Sequence, residues 1–529
     1  MKKRDIGFGD SVRPHCCPRP GFAPPGDGGW TVTRRTFLKG MGAATIGGVA
    51  LSGLSWPALL AAAPDEEVFG IARRPLRVKP ILVHSVPKRQ PQTSWRNWGG
   101  IETLQDAEAE SARIREEIAA MRRTADFPVE FLPVSKAQTG DDIAAIADLP
   151  SADAVIAYAA GGWLDCYDAL GGLKKDIIFF CRHKSGPVYL WYEIVSPRYL
   201  RKGTDSLALK AVDDEDVVVD SQAEIMWRLR ALCGLRNTIG TRVVSIGGPN
   251  AWSHPEGVDV PRLVAEQWKF DMPTVTYDDL GRLIREARTD VSAVKLARAE
   301  ADAYLRAPGT TLETDRGFVV NAFLLSRVFR GIMRAADCRA ITVNSCMGTI
   351  MPLAETSACL TLSLLNDAGY LAFCESDFVV IPSGVLLANI SAKPVFLNDP
   401  TYPHDGIITI AHCTAPRRMD GREREPARIL THFESDYGAA PKVEMRKGQF
   451  VTNIAPDFAS KRWLGLGAEI VEAPFLPICR SQIDVRFAAD SLTLAKRMPG
   501  FHWMTGYGDY LRELGYAVKR VGIEWDRLA

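Results

Sequence analysis

Between Leu371 and Asp399 the chain reads LAFCESDFVVIPSGVLLANISAKPVFLND, and no other stretch constrains it as strongly. Consecutive apolar segments each end in a carboxylate, Glu375 and Asp399, 24 residues apart. A carboxylate at the end of a buried strand sits at the rim of a core, where a crevice forms. Near the C-terminus MPGFHWMTGYGDY, from Met498 to Tyr510, adds a histidine, His502, in a Gly-rich aromatic setting.

Two carboxylates and an imidazole offer hard oxygen and borderline nitrogen donors. With positions left open for water or hydroxyls, such a set suits Mn²⁺ or a similar divalent ion. An ion of this kind can polarise two adjacent substrate oxygens while a carboxylate moves a proton between neighbouring carbons, which is what an enediol route between aldose and ketose requires. Each residue alone has a plainer explanation. Glu375 could be a strand-end carboxylate paired with an Arg, Asp399 before Pro400 could start a turn, and His502 could be a structural histidine.

On these residues the C-terminal half resembles the L-fucose isomerase family and its more distant relatives. In that family a Glu in a T-E-N-D type segment, an Asp in an F-A-D type segment and a His in an N-H-G segment ligate Mn²⁺. Here Glu375 lies in CESD, Asp399 in VFLND and His502 in GFHW. The motifs fall between about Ile341 and Pro416 and between about Cys479 and Trp525, and the N-terminal half matches mainly in VTYDDLGRLI from Val275. Ser376 replaces the family's Asn and Trp503 its Gly, changes that bear on sugar choice more than on metal binding. The resemblance implies a metal-dependent aldose–ketose isomerase with a monosaccharide substrate, Glu375 and Asp399 as ligands and proton-transfer groups, and His502 as third ligand. The alternative is an exported, non-catalytic carbohydrate-binding protein that keeps the isomerase fold. In the family the N-terminal domain helps close a neighbouring subunit's site. The resemblance therefore implies a homo-oligomer, with Arg96 and Trp98 in SWRNWGG as substrate contacts across the interface.

His412, at the end of the apolar run IITIAH, is a candidate hydrogen-bond donor to substrate or a strand-end histidine bonded to backbone. Glu355, in PLAETSACL, reads as the first turn of a helix, where a carboxylate favours the helix dipole. His432, Glu434 and Asp436 form a polar cluster that could line an entrance, and His404 with Asp405 reads as a turn. SIGGPNAW, residues 245 to 252, is a Gly-turn after a strand that could touch a ligand and is no dinucleotide fingerprint.

The N-terminus carries a separate signal. TRRTFLK, with Arg34 and Arg35, precedes an uncharged Gly/Ala-rich run from Gly40 to Pro64, the pattern of a twin-arginine export signal. This implies an export machinery as partner and a periplasmic or other extracytoplasmic location. Pro64 follows the small residues Ala61 to Ala63 and would hinder cleavage, leaving the run as a possible anchor. Residues 1–63 are accordingly set outside the fold. They hold eight Lys or Arg against three Asp or Glu, so the body is mildly acidic, which argues against nucleic acid.

The body alternates short apolar runs (ILVHS, VEFLPV, AVIAYA, DIIFFC and VYLWY) with helix-period segments, a pattern of parallel α/β domains. The first such helix carries Leu104, Ala107, Ile114, Ile118 and Met121 near one face. A second unit starts with TRVVSIGG from Thr241, and from about Ala388 short strands and turns read as mostly antiparallel β. The expected architecture is two parallel-sheet, Rossmann-like α/β domains, 75–238 and 239–388, followed by a β-rich C-terminal domain of the L-fucose isomerase type, 389–529. Nine of the eleven cysteines lie in the body without a Cys-x-x-Cys pair, the usage of thiols in a chain folded before export.

Overall fold

The computed structural model describes residues 51, 53–61, 70–189, 199–201, 214–252 and 254–528. Arg34 and Arg35 lie outside the described residues. Among those residues no single helix is long and apolar enough to cross a membrane.

The first sheet is parallel and contains β1 (Leu76–Val83), β2 (Val129–Phe131), β3 (Ser135–Ala137), β4 (Ala154–Ala159), β5 (Asp176–Cys181) and β6 (Val217–Val219). Its order is β2-β1-β4-β5-β6, with β3 also on β1. Every residue of β4 is buried, as a strand covered on both faces by helices must be. The helix Leu104–Thr124 starts at a capping box between Thr103 and Asp106 and buries Ala107, Ile114, Ile118 and Met121. Leu104, expected on the same face, is 67% exposed because it opens the helix before the apolar stripe turns inward. VYLWY does not begin as a strand at Val188. Tyr189 is instead buried with its hydroxyl on Glu110 beside Arg182, and residues 190–192 lie outside the described residues.

A second parallel sheet, in the order β11-β10-β7-β8, holds β7 (Val243–Ile246), β8 (Thr274–Val275), β10 (Ala340–Val343) and β11 (Leu371–Cys374). Between them β9 (Thr310–Glu313) leaves this sheet and pairs with β14 (Ala427–His432), which also pairs with β15 (Tyr437–Val443).

The C-terminal part is built on β12 (Phe396–Pro400), β13 (Ile407–His412), β16 (Phe450–Pro456), β17 (Arg462–Glu472), β18 (Ser481–Arg486) and β19 (Trp503–Tyr507). These six close into an antiparallel barrel, β16-β19-β12-β13-β18-β17 and back to β16, and β20 (Glu524–Leu528) adds parallel to β17. The antiparallel character is visible in the sequence as short strands and turns. The closure is not, because an open and a closed sheet share the same alternation.

Two segments depart from the sequence expectation. Ile381–Ser391 is a helix with every residue from Ile381 to Ile390 buried, so it shows no amphipathic period by which to find it. Gly384 lets it press on the barrel, since a Cβ there would stand 2.5 Å from Met504 and 2.8 Å from Phe373. The second departure is N-terminal. Composition places 1–63 outside the fold, yet Leu51 and the helix Trp56–Ala61 join the core of the second α/β unit. Trp56 donates its backbone N–H to Glu286 (2.8 Å) and its indole N–H to Asp290 (2.9 Å). Composition could not distinguish this packed end of an apolar run from a free one.

Candidate metal centre

The second parallel sheet delivers Glu375 and the barrel delivers its partners. β11 lies at the sheet's edge and ends at Cys374, after which Glu375 and Ser376 take φ values of +66° and +47°. Two successive non-glycine residues in the left-handed region cost about 1–3 kcal/mol each. The turn is held by the Ser376 N–H donating to Thr342 Oγ1 (3.1 Å) and the Asn250 N–H donating to the Ser376 carbonyl (3.2 Å). In the barrel, Asp399 stands opposite Ala411 of β13 and Asn398 opposite Trp503 of β19. That register carries His412 and His502 to the same end as Asp399.

His502 Nε2 lies 3.2 Å from Glu375 Oε2 and 3.1 Å from Asp399 Oδ1. All three atoms are buried, and beyond these ion-pair contacts none has a hydrogen-bond partner among the described residues. Buried polar atoms are rarely left so. Two donors about 2.1 Å from one ion and at right angles stand about 3 Å apart, so each of these two spacings fits a pair of atoms sharing a cation. His412 joins them: its Nε2 is 3.6 Å from Glu375 Oε1, and Asp399, His412 and His502 offer atoms all within 4.8 Å of one another.

Each imidazole is oriented from behind. His502 Nδ1 donates to Asp377 Oδ2 at 2.6 Å and His412 Nδ1 shares a hydrogen bond with Thr414 Oγ1 at 3.0 Å, which turns both Nε2 atoms inward. Asp377 is itself fixed by the backbone N–H groups of Trp252 (3.2 Å) and Val379 (3.1 Å). Burial raises the Glu375 carboxyl, but His412 and His502 outweigh it and hold it at about 2. Burial likewise opposes charge on His502, yet Asp399, Asp377 and Glu375 push it well above the usual imidazole range. His412 moves upward too, against its burial, through Glu375 and Asp399. The carboxylates thus favour positive charge at this place, which a divalent cation would also supply.

Trp252 and Phe501 stack beside His502, with ring centres 5.6 Å apart, and Phe501 is 42% exposed. SIGGPNAW thus reaches the centre through Trp252. Glu355 does not open a helix. It follows Met351–Ala354 with φ +50° and pairs with Arg288 at 2.6 Å. Arg96 pairs with Glu102 at 2.7 Å and Trp98 is 60% exposed. His404 is exposed and Asp405 takes φ +50°, as a turn does. His432 lines a small cavity next to the centre, with Glu375, His412, Met347 and five cysteines. The sequence alone does not single out Asp377 or Phe501, and it brings in Trp252 only as the last residue of SIGGPNAW. Asp377 stands two residues after Glu375 in CESD, but nothing local shows that it faces an imidazole 125 residues away.

Comparison of the sequence with protein-family models gives no match, and comparison with curated proteins gives none.

Proposed function

We propose that this chain is a metal-dependent aldose–ketose isomerase-like protein that acts on a monosaccharide through an enediol intermediate, with a fold of the L-fucose isomerase type. The observation that carries the reading is that Glu375 Oε2 and Asp399 Oδ1, both buried, each stand at about ligand-to-ligand spacing from the buried His502 Nε2. Glu375, Asp399 and His502, with His412 in reach, would hold a divalent ion of the Mn²⁺ kind, which would supply Lewis-acid polarisation to a bound sugar.

The chain's own groups do the proton work. Asp399 is 30% exposed at its side chain and Glu375 10%, so Asp399 has the more open approach to a sugar. A carboxylate takes the proton from the carbon beside the carbonyl and returns it to the neighbouring carbon, while the hydroxyl proton passes between the two oxygens. Phe501 and Trp252 supply an apolar face for the C–H side of a sugar ring. Asp377 and Thr414 keep both histidines in the orientation the centre needs. Export by the twin-arginine route and a homo-oligomer belong to the same reading.

The test is metal analysis together with aldose-to-ketose conversion across a sugar panel. One Mn²⁺-type ion per chain is expected at this centre, with turnover lost on chelation and restored by Mn²⁺. Full turnover by metal-free protein would refute the mechanism. Metal binding without conversion of any aldose would favour the carbohydrate-binding alternative.

A further inference from the structure

We infer that the chain holds a second metal ion, thiophilic and of the Zn²⁺ class, between Cys359, Cys413 and His432. The ligand atoms of these three residues lie within 4.8 Å of one another, and all three side chains are buried. They arrive from separate elements: the helix Ala358–Asp367, the residue after β13, and the last residue of β14. Donors around a tetrahedral Zn²⁺ stand about 3.3–3.8 Å apart, so closing the set needs movements on the order of 1 Å.

The surroundings supply what three donors lack. Cys346, Cys374 and Cys479 line the same cavity of ≈ 20 Å³, which has room for about one water-sized body. The Cys346 thiol meets that of Cys359, and the Cys479 thiol meets that of Cys413, so each is a candidate fourth ligand. No disulfide joins the nine cysteines of the described residues. A buried Cys commonly serves as a small apolar residue, as Cys166, Cys181 and Cys233 do. Cys359, Cys413 and Cys479 pack with Ala440, but the cavity gathers five thiols and the imidazoles of His412 and His432, more donors than that apolar contact needs.

Sulfur donors also set this group apart from its neighbour. Thiolate and imidazole select Zn²⁺-like ions, whereas carboxylate-rich sites select Mn²⁺ or Mg²⁺. Binding displaces the protons of the two thiols, and the imidazole coordinates as the neutral ring. None of Glu375, Asp399 or His502 takes part, so failure of aldose conversion would leave this site standing.

Elemental analysis of the intact protein as purified is the first test, with one thiophilic ion per chain expected in addition to any Mn²⁺-type ion. Cys359→Ser and His432→Ala should each lower the thiophilic ion at least tenfold without lowering the Mn²⁺-type content. Stripped wild-type protein refilled with Co²⁺ should develop thiolate-to-Co²⁺ charge-transfer absorption, a readout that needs no variant to fold. Wild-type protein without that absorption would overturn the site, as would Cys359→Ser with undiminished thiophilic metal. A Cys359–Cys413 disulfide in metal-free native protein would overturn it too, by making the pair a redox element.

Discussion

Asp377 Oδ2 accepts a hydrogen bond of 2.6 Å from His502 Nδ1, and both side chains are buried. A carboxylate behind a ligating imidazole sets its tautomer and raises its basicity. Asp377→Asn should therefore lower Mn²⁺ affinity by about 10- to 100-fold with little change in fold. Calorimetric titration of the stripped protein checks this, and wild-type affinity in the variant would remove Asp377 from the centre.

Glu375→Gln and Asp399→Asn exchange an anionic ligand for a neutral amide that cannot take up a proton. Each should reduce turnover by about 10²- to 10⁴-fold under saturating Mn²⁺. Each should also shrink the rise in Tm that Mn²⁺ gives the wild type, because an ion bound only by the folded state stabilises it. Either variant turning over at the wild-type rate would exclude that residue as the proton carrier.

Asp367 tests the electrostatics of the fold away from the centre. Burial pushes its carboxyl up from 3.8 to about 6, although its Oδ1 accepts the backbone N–H groups of Arg417 and Arg418, both at 2.8 Å. The folded chain thus holds this proton more tightly than the unfolded one. The resulting stability is present below pH 4 and is lost as pH rises through 6. Asp367→Asn keeps the Oδ1 acceptor and avoids the ionisation, so it should stabilise the protein by up to about 3 kcal/mol at pH 8 and by little at pH 4. Denaturant unfolding at the two pH values decides, and a gain independent of pH would refute the assignment.

Trp56 is 4% exposed in the core of the second α/β unit. Trp56→Ala should cost about 3–5 kcal/mol in unfolding free energy. A chain beginning at Pro64 should lose stability as well. Unchanged unfolding in both would show that the helix Trp56–Ala61 contributes nothing to the fold.

Arg34 and Arg35 belong to the export reading alone. Replacing both by Lys keeps the charge and removes the paired guanidinium groups that the receptor reads, so the precursor should stay in the cytoplasm, soluble and metal-loaded. Cell fractionation and metal analysis check this. Continued export would refute the signal.

Local pattern determines much of this protein's secondary structure. AVIAYA and DIIFFC are strands of a parallel sheet because an uninterrupted apolar run bounded by polar residues can be buried on both faces, and the chain's mixed α/β character follows from such runs alternating with helices. Sequence also names Glu375, Asp399 and His502, since each residue's chemistry and place at a segment end are local properties. Their distances are not local. The 3.1 Å between His502 and Asp399 depends on the register of β12 with β19, and the 3.2 Å to Glu375 depends on a parallel sheet edge meeting a closed barrel. Barrel closure, the all-round buried helix Ile381–Ser391, Asp377 behind His502 and the convergence of five cysteines leave no periodic trace, because each is decided by contacts between segments far apart in the chain. Sequence thus determined which carboxylates, imidazoles and thiols the chain carries, and tertiary packing alone decided which of them face one another.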